Sequence, residues 1–369
     1  MNQPVTYVGL DLGTFKTSVA SSNGKRFVIP SVVGWPKDRV ARALLGRDLV
    51  FGEEALKHQS ALNVIRPFHR GALKYVDGAD VGIRPEDVAK HKEAALLLVQ
   101  HVVSDLELPA GRPIYGIIGA PSRATVFNKQ VIINAARRTL DAVMVVADPF
   151  NIANGMNQLS NSMVIDIGAG TIDICPVCGT YPKDEDQITL PVGGDLIDDE
   201  LHRLIKQSEP YADLSLNQAR QIKEKFGFVR DDDEPAIATL QVDGKPTQVD
   251  VSKQLNAACR SIVPGITEAL LELVSKFDRD FQKLLFNNIV LGGGGSQLKG
   301  LDQQIEQALQ KDGQAKVTQV HDPVFAGANG ALKMAMSMPA NYWQQIVAQA
   351  GNKKQSNTQR ARVSLSRAA

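Results

Sequence analysis

Two short turns constrain this chain more than anything else in it. Asp11-Leu12-Gly13-Thr14 follows the apolar run Tyr7-Val8-Gly9-Leu10, and Asp166-Ile167-Gly168-Ala169-Gly170-Thr171-Ile172-Asp173 follows Met163-Val164-Ile165. Each places an aspartate at the end of a strand-like segment with glycine just behind it. Glycine has no Cβ and tolerates positive φ, so backbone amides at such a turn can approach phosphate oxygens closely. The aspartate itself is repelled by phosphate and must act through Mg²⁺ or its bound waters. A single Asp-x-Gly-Thr turn is an ordinary hairpin. A second with matching strand context, and the run Leu291-Gly292-Gly293-Gly294-Gly295-Ser296 after Asn288-Ile289-Val290, point instead to two hairpins clamping a nucleotide tail between two domains. The glycine run suits a flat base or ribose packed on backbone. Neither Gly-x-x-x-x-Gly-Lys-Ser/Thr nor Gly-x-Gly-x-x-Gly occurs, which excludes the P-loop and dinucleotide-fold fingerprints.

This order of parts resembles the actin, hexokinase and heat-shock-protein-70 superfamily of ATPases. Within it the chain is most similar to bacterial actins, the MreB type and especially the magnetosome-filament (MamK) type. The smaller pieces that carry this resemblance are Ser31-Val32-Val33-Gly34-Trp35-Pro36-Lys37-Asp38, Leu44-Leu45-Gly46-Arg47, Arg66-Pro67-Phe68, Gly119-Ala120-Pro121-Ser122 and Asn341-Tyr342-Trp343, and it spans roughly residues 5 to 348. It implies an α/β, actin-like ATPase fold: two large domains with mixed sheets flanked by helices, plus two small inserted subdomains, around a nucleotide cleft. Segments 1–33 and 76–160 would form the first large domain and 34–75 its small subdomain. Segments 161–192 and 263–350 would form the second, 193–262 its small subdomain, and 351–369 a disordered basic tail.

The pattern along the chain fits. Strand-like runs at 5–10, 16–20 and 26–33 open it, with Ser22-Asn23-Gly24 as a hairpin signal. A helix over 86–108 with an acidic first turn, the strand Ile114-Tyr115-Gly116-Ile117-Ile118, a helix near 123–140 and the strand Ala142-Val143-Met144-Val145-Val146 give a βαβ rhythm, hence a partly parallel sheet. After the second hairpin the pattern partly restarts, which points to internal duplication. Strands to 178 and at 187–192 precede helices at 195–208 and 215–227. Residues 236–251 alternate like two edge strands around Asp243-Gly244. Helices are expected over 253–275, 278–287, 296–311, 325–337 and 339–350.

With 369 residues, 43% of them apolar and 22% charged, the chain is long and apolar enough for two or more packed domains. It has no 18-residue apolar stretch, no leader-like N-terminus and an odd number of cysteines, three, so a reduced, cytoplasmic protein is expected. The net charge of +1 hides a tail of +5, from Lys353, Lys354, Arg360, Arg362 and Arg367. A plain solvated terminus is the leading reading of that tail.

The resemblance assigns the chemistry residue by residue. Asp11 and Asp166 would hold hydrated Mg²⁺, and the turn residues Leu12, Gly13, Thr14, Gly168, Ala169, Gly170 and Thr171 would grip the phosphates of ATP or ADP. Lys16 either adds charge there or is merely solvated. Gly193, Gly194 and Asp195 match the turn into the second small subdomain, where Asp195 is a ligand or a helix cap. Lys223 and Glu224, in Gln221-Ile222-Lys223-Glu224-Lys225-Phe226, would contact purine and ribose or form a solvated helix face. Gly292, Gly293, Gly294 and Gly295, with Gln297, complete the nucleotide site. The family usually orients the attacking water with Glu or Gln. Here Asp148, in Val146-Ala147-Asp148-Pro149-Phe150, stands at that site, and the missing methylene withdraws the carboxylate by about 1.5 Å, enough to slow hydrolysis or to require an extra water. The other reading of Asp148 is a helix cap before Pro149.

Three function classes follow. The first is a filament-forming bacterial actin that polymerises with ATP-Mg²⁺, hydrolyses it, and organises or positions a structure such as a magnetosome chain, with itself and adaptor or cargo proteins as partners. The second is a small-molecule kinase or phosphatase of the same superfamily, for which no acceptor-site aspartate stands out. The third, a heat-shock chaperone, needs a substrate domain for which the short tail leaves no room. Membrane contact is disfavoured, although Trp35 and Phe51 leave an apolar contact open, and no specific nucleic acid is expected. Cys175-Pro176-Val177-Cys178 lacks a second pair or a nearby histidine and reads as two structural thiols.

Overall fold

The computed structural model describes residues 4–69, 72–73, 84–230 and 235–349. It opens with β1 (Thr6–Leu12), β2 (Lys16–Ser21) and β3 (Arg26–Pro30), successive antiparallel neighbours. A small lobe follows, built from β4 (Val33–Pro36), α1 (Arg39–Leu45), β5 (Val50–Phe51), α2 (Gly52–Lys57), β6 (Leu62–Ile65), β7 (Phe68–His69) and β8 (Ala72–Leu73). Asp38 starts α1 by accepting the Ala41 N–H, and Gly46 stops it in the left-handed conformation. The chain then returns through α3 (Pro85–Ser104), β9 (Ile114–Ala120), α4 (Val126–Ala136), β10 (Ala142–Ala147) and α5 (Asp148–Gly155).

The second half begins like the first, with β11 (Ser162–Ile167), β12 (Ile172–Val177) and β13 (Ile188–Leu190). A second small lobe comprises α6 (Gly194–Ser208), β14 (Ala212–Asp213), α7 (Leu216–Phe226), β15 (Ile237–Val242), β16 (Lys245–Asp250) and α8 (Ser252–Arg260). Asp243 and Gly244 join β15 to β16 with φ of +51° and +74°, the pair of left-handed residues that a type I′ turn requires. The chain continues through α9 (Val263–Val274), α10 (Arg279–Phe286), β17 (Ile289–Gly292), α11 (Leu301–Leu309), β18 (Val317–Gln319) and α12 (Ala326–Ser337), with a last helical stretch over 340–349.

The two large sheets have the same plan. Read from the edge, one runs β3-β2-β1-β9-β10 and the other β13-β12-β11-β17-β18. In each, the hairpin strands pair antiparallel and the two crossover strands pair parallel to the first. The duplication expected from the two hairpins is therefore carried through all five strands. The connecting helices are exchanged between halves: α5 leaves the first sheet and packs on β11 and β12, while α12 leaves the second and packs on β1 and β9. They cross at glycines, where a Cβ on Gly155 would lie 3.3 Å from the Gly330 Cα. Below the first sheet, Trp343 packs against Tyr7 and Tyr115 and is only 1% exposed.

Several expectations need correction. The helix expected over 253–275 is two helices, α8 and α9, with Pro264 in the first turn of α9, where its missing N–H does no harm. The helix expected from 296 begins at Leu301, after a tight turn over Gly294–Gln297. The second lobe gains the two-residue strand β14. Trp35 and Phe51 are half-buried against the first core, and Phe51 stacks on His101 at 4.1 Å, so they form no exposed apolar patch. Among the described residues no helix is long and apolar enough to cross a membrane. The acidic run 231–234 and the basic tail 351–369 lie outside the described residues.

Candidate nucleotide site

Equal strand register seats the two hairpin aspartates alike. Asp11 at the end of β1 is paired with Gly119 of β9, and Asp166 at the end of β11 with Gly292 of β17. Each carboxylate rests against a glycine that clears room for it. A Cβ on Gly327, in the first turn of α12, would come within 2.9 Å of Asp11 Oδ2, and one on Gly293 would overlap Asp166 Oδ1. Gly293 has φ +74°, so this site favours glycine on conformational grounds as well.

The turns behind the aspartates are locally braced. Ser31 Oγ donates to the Gly13 carbonyl at 2.8 Å, and the Gly168 N–H donates to Thr171 O at 2.9 Å. The second turn also anchors the second small lobe: Gly194 N–H donates to Gly168 O and Asp195 N–H to Ala169 O, at 3.0 and 2.8 Å. The N-terminus of α6 is thereby tied directly to the second turn.

Between the hairpins lies a cavity of 450 Å³. Every site residue singled out from the sequence lines it except Gly193 and Gly292. Gly193 supports the floor, since a Cβ there would lie 2.5 Å from Gly168 O, and Gly292 is inside β17 facing Ile152. Asp195 is not the cap of α6, whose N-cap is Gly193; it bonds Arg220 instead. Lys223 is drawn into the second lobe, with Nζ 2.7 Å from Gly194 O and 2.6 Å from Asp198 Oδ1. Glu224 reaches across the cleft mouth to Lys16 at 3.5 Å, both about half exposed, a contact worth at most about 1 kcal/mol.

Arg220 carries the most weight among residues that the sequence did not single out. It donates to Asp195 and Asp198 at 2.8 Å each, and its guanidinium sits 4.0 Å from the centre of the Phe15 ring. Arg66 of the first lobe approaches the same ring at 4.6 Å. Phe15, part of the first hairpin turn, is thus touched by a cation from each small lobe. The readable signal was the matched spacing of Asp195 and Asp198 on α6 with Arg220 and Lys223 on α7, two pairs each three residues apart.

Four carboxylates crowd the floor. Burial holds the Asp11 carboxyl up at about 6, and burial followed by the charges of neighbouring aspartates pushes Asp148 and Asp166 well above the usual carboxylate range. Burial raises Asp173 too, opposed by hydrogen bonds from Thr189 Oγ1 and Ser122 N–H at 2.6 and 2.8 Å, the second of which ties the two halves together. Asp148 is the first residue of α5, follows the N-cap Ala147, makes no side-chain cap bond and points into the cleft. Its Oδ1 has no hydrogen-bond partner among the described residues.

The donor set fits hydrated Mg²⁺. Asp11 and Asp166 offer hard oxygens from opposite sides, and one oxygen of the Asp148 carboxylate, Oδ1, has no hydrogen-bond partner among the described residues. Among the described residues no three His, Cys, Asp or Glu side chains gather closely enough to hold a metal by themselves, so an ion here would keep several waters. The three cysteines are free, and burial pushes the Cys175 thiol far up, as a structural role requires.

The family model for the MreB/Mbl protein matches residues 5–341. The chain belongs to the MreB/Mbl family. Over 340 residues it is 38% identical to the actin-like protein MamK of Paramagnetospirillum magneticum, covering 92% of this chain and 95% of the relative. It is also 38% identical to the actin-like protein MamK of Magnetospirillum gryphiswaldense, covering 92% and 91%. A MamK double helical filament superposes with a TM-score of 0.85 at 37% identity, covering 91% of this chain and all of that one. A non-polymerising MamK mutant bound to AMPPNP gives 0.70 over the same share of this chain. MreB5 of Spiroplasma citri bound to ADP, at 18% identity and a TM-score of 0.73 with 91% of this chain covered, shows the fold alone. The fold is actin-like, and this member of the MreB/Mbl family is MamK-like.

Proposed function

We propose that this MreB/Mbl family member is a cytoskeletal actin that binds ATP-Mg²⁺ in the cleft, polymerises head to tail and hydrolyses the nucleotide, positioning an intracellular structure such as a magnetosome chain. The observation that carries the reading is the pair of aspartates in equal register, Asp11 and Asp166, facing one cavity across two phosphate-gripping turns. The similarity to a MamK filament supports self-association, and that to a mutant bound to AMPPNP supports an adenine nucleotide as ligand.

In this reading, segments 1–33 with 76–160 and 161–192 with 263–350 are the large domains, and 34–75 and 193–262 are the lobes that close over the ligand. The turn amides of 12–14 and 168–171 hold the phosphates, Asp11 and Asp166 hold hydrated Mg²⁺, and Asp148 orients the attacking water. Bound Mg²⁺ would neutralise charge on the phosphates and draw the crowded aspartates back to their ionised forms. The α6 amides, bonded to the second turn, transmit ligand occupancy to the second lobe. Contacts between subunits related by a non-closing operation then give an open filament.

Pelleting and negative-stain microscopy with ATP, with ADP and without nucleotide, on wild type and Asp166→Asn, test the reading. Filaments are expected with ATP-Mg²⁺ for wild type and not for the variant. A wild-type protein that stays monomeric at tens of micromolar with ATP bound would overturn it.

A further inference from the structure

A second, smaller cavity of 120 Å³ lies beside the first hairpin turn, lined by Thr14 and Phe15, by Arg66 and His69 of the first lobe and by Asp195 and Arg220 of the second. Thr14, Phe15, Asp195 and Arg220 also line the main cavity, so the two share a wall. Arg66 is held there by its chain neighbours: Ile65 ends β6, Pro67 has a restricted φ, and Phe68 starts β7 buried in the first core. A guanidinium resting on an aromatic ring uses its face and keeps its N–H edge for hydrogen bonds. Arg66 rests on Phe15 in this way, and its Nη1 is buried without a hydrogen-bond partner among the described residues. Arg220, on the same ring, spends Nε on Asp198 and Nη2 on Asp195. Burial, and after it the Arg220 charge, lower the Arg66 pKa against the pull of Asp195 and Glu53, so the protein alone disfavours a charge that a bound anion would stabilise.

We propose that this side cavity is a second anion site, which takes orthophosphate on the Arg66 and Arg220 guanidiniums beside Thr14. A water would satisfy the Arg66 N–H but not its charge, and Asp195 is already engaged by Arg220. A tetrahedral oxyanion meets both needs, because it brings negative charge and accepts from several donors at once, the pairing at which arginine excels. The cavity volume is several times what one water needs, which leaves room for it. The phosphate has two sources: solvent, and the main cavity across the shared wall after cleavage of bound nucleotide. Only the second source rests on the ATPase reading above.

The test is titration of inorganic phosphate, read by ³¹P NMR line broadening, on wild type, Arg66→Gln, Arg66→Lys and Asp195→Asn, each without nucleotide and with saturating AMPPNP-Mg²⁺, melting temperatures being measured alongside. Wild type should bind phosphate in both conditions, since AMPPNP fills the main cavity and leaves the side cavity open. Arg66→Gln should weaken binding about tenfold or more, the loss expected for a charged hydrogen bond, and Arg66→Lys should fall between. Asp195→Asn should tighten it severalfold, because it removes an acid and frees an arm of Arg220; this rise covers the case in which the Arg66 variants fold poorly. Equal binding by wild type and Arg66→Gln, binding lost once AMPPNP is present, or no binding at all would overturn the inference. So would weaker binding by Asp195→Asn, the outcome for a cavity where Arg66 latches onto Asp195. Single-turnover ATP cleavage followed with a phosphate sensor separates the sources: a delay between cleavage and free phosphate that Arg66→Gln shortens supports the main cavity as source, and an unchanged delay with Arg66-dependent binding supports solvent. Failure to bind AMPPNP or to cleave ATP would overturn the ATPase reading and leave the nucleotide-free titration to decide this one.

Discussion

Replacing Asp166 by asparagine removes one charge from a floor where Asp11, Asp148, Asp166 and Asp173 are all raised by burial. The cost of that crowding can be gauged from Asp11, whose carboxyl moves from 3.8 to about 6. At roughly 1.36 kcal/mol per pKa unit, holding it ionised in the folded, nucleotide-free protein costs up to about 3 kcal/mol. Asp11 and Asp166 are only half-buried, and water in the cleft screens them, so about 1–2 kcal/mol is the expected relief from Asp166→Asn. Without nucleotide and with a chelator present, the variant should therefore melt about 1–4 °C above wild type. With Mg²⁺ and ATP at about a hundred times the wild-type Kd, wild type should gain roughly 2.7 kcal/mol and the variant almost nothing, reversing the order. Differential scanning fluorimetry under both conditions reads the crossing. A variant that melts at or below wild type without nucleotide would refute the charge-crowding argument, and a full Mg-ATP shift in the variant would refute the role of Asp166 at the metal.

The same reasoning sets a pH dependence. The unfolded Asp11 ionises near 3.8 and the folded one near 6, so the folded state binds more protons between these values and the nucleotide-free protein loses stability as pH rises through about 6; chemical melts at pH 5 and 7.5 should show the lower stability at 7.5. Arg220→Ala leaves Asp198, whose side chain is 3% exposed, with Lys223 alone and frees Asp195; a loss of about 2–4 kcal/mol is expected in denaturant titrations, with Arg220→Lys intermediate because it lacks the two-pronged geometry. Trp343→Ala should cost about 3–5 kcal/mol by emptying the space beside Tyr7 and Tyr115, whereas Tyr342→Ala next to it, 55% exposed, should change stability by less than about 0.5 kcal/mol.

Much of the candidate site was legible because the chemistry proposed for it is local. Asp11-Leu12-Gly13-Thr14 and Asp166 to Thr171 announce themselves within a few residues, since the turn, the close amide and the carboxylate must be contiguous. The strands and helices that carry them follow the 2- and 3.6-residue periods of the apolar residues, which also depend only on near neighbours. Boundaries failed where local signals compete, as at Pro264, which reads as a helix interior yet starts a new helix.

What proximity in space decides was not legible. Arg220 and Phe15 are more than two hundred positions apart and meet only because the second small lobe faces the β1–β2 hairpin across the cleft. Gly292 and Gly293 are indistinguishable in sequence, but one packs on Ile152 inside a strand and the other cradles Asp166. Arg66 reads in the chain as one piece of a family resemblance and acquires its further meaning from a buried Nη1 without a partner, on the ring that Arg220 also touches. The sequence by itself thus determined the two Asp-Gly hairpins, the duplicated order of elements and the family. The tertiary structure alone decided which charges neutralise each other and which polar atoms are left without partners, because burial and long-range contact are set by how α5, α12 and the two lobes pack rather than by any residue's neighbours along the chain.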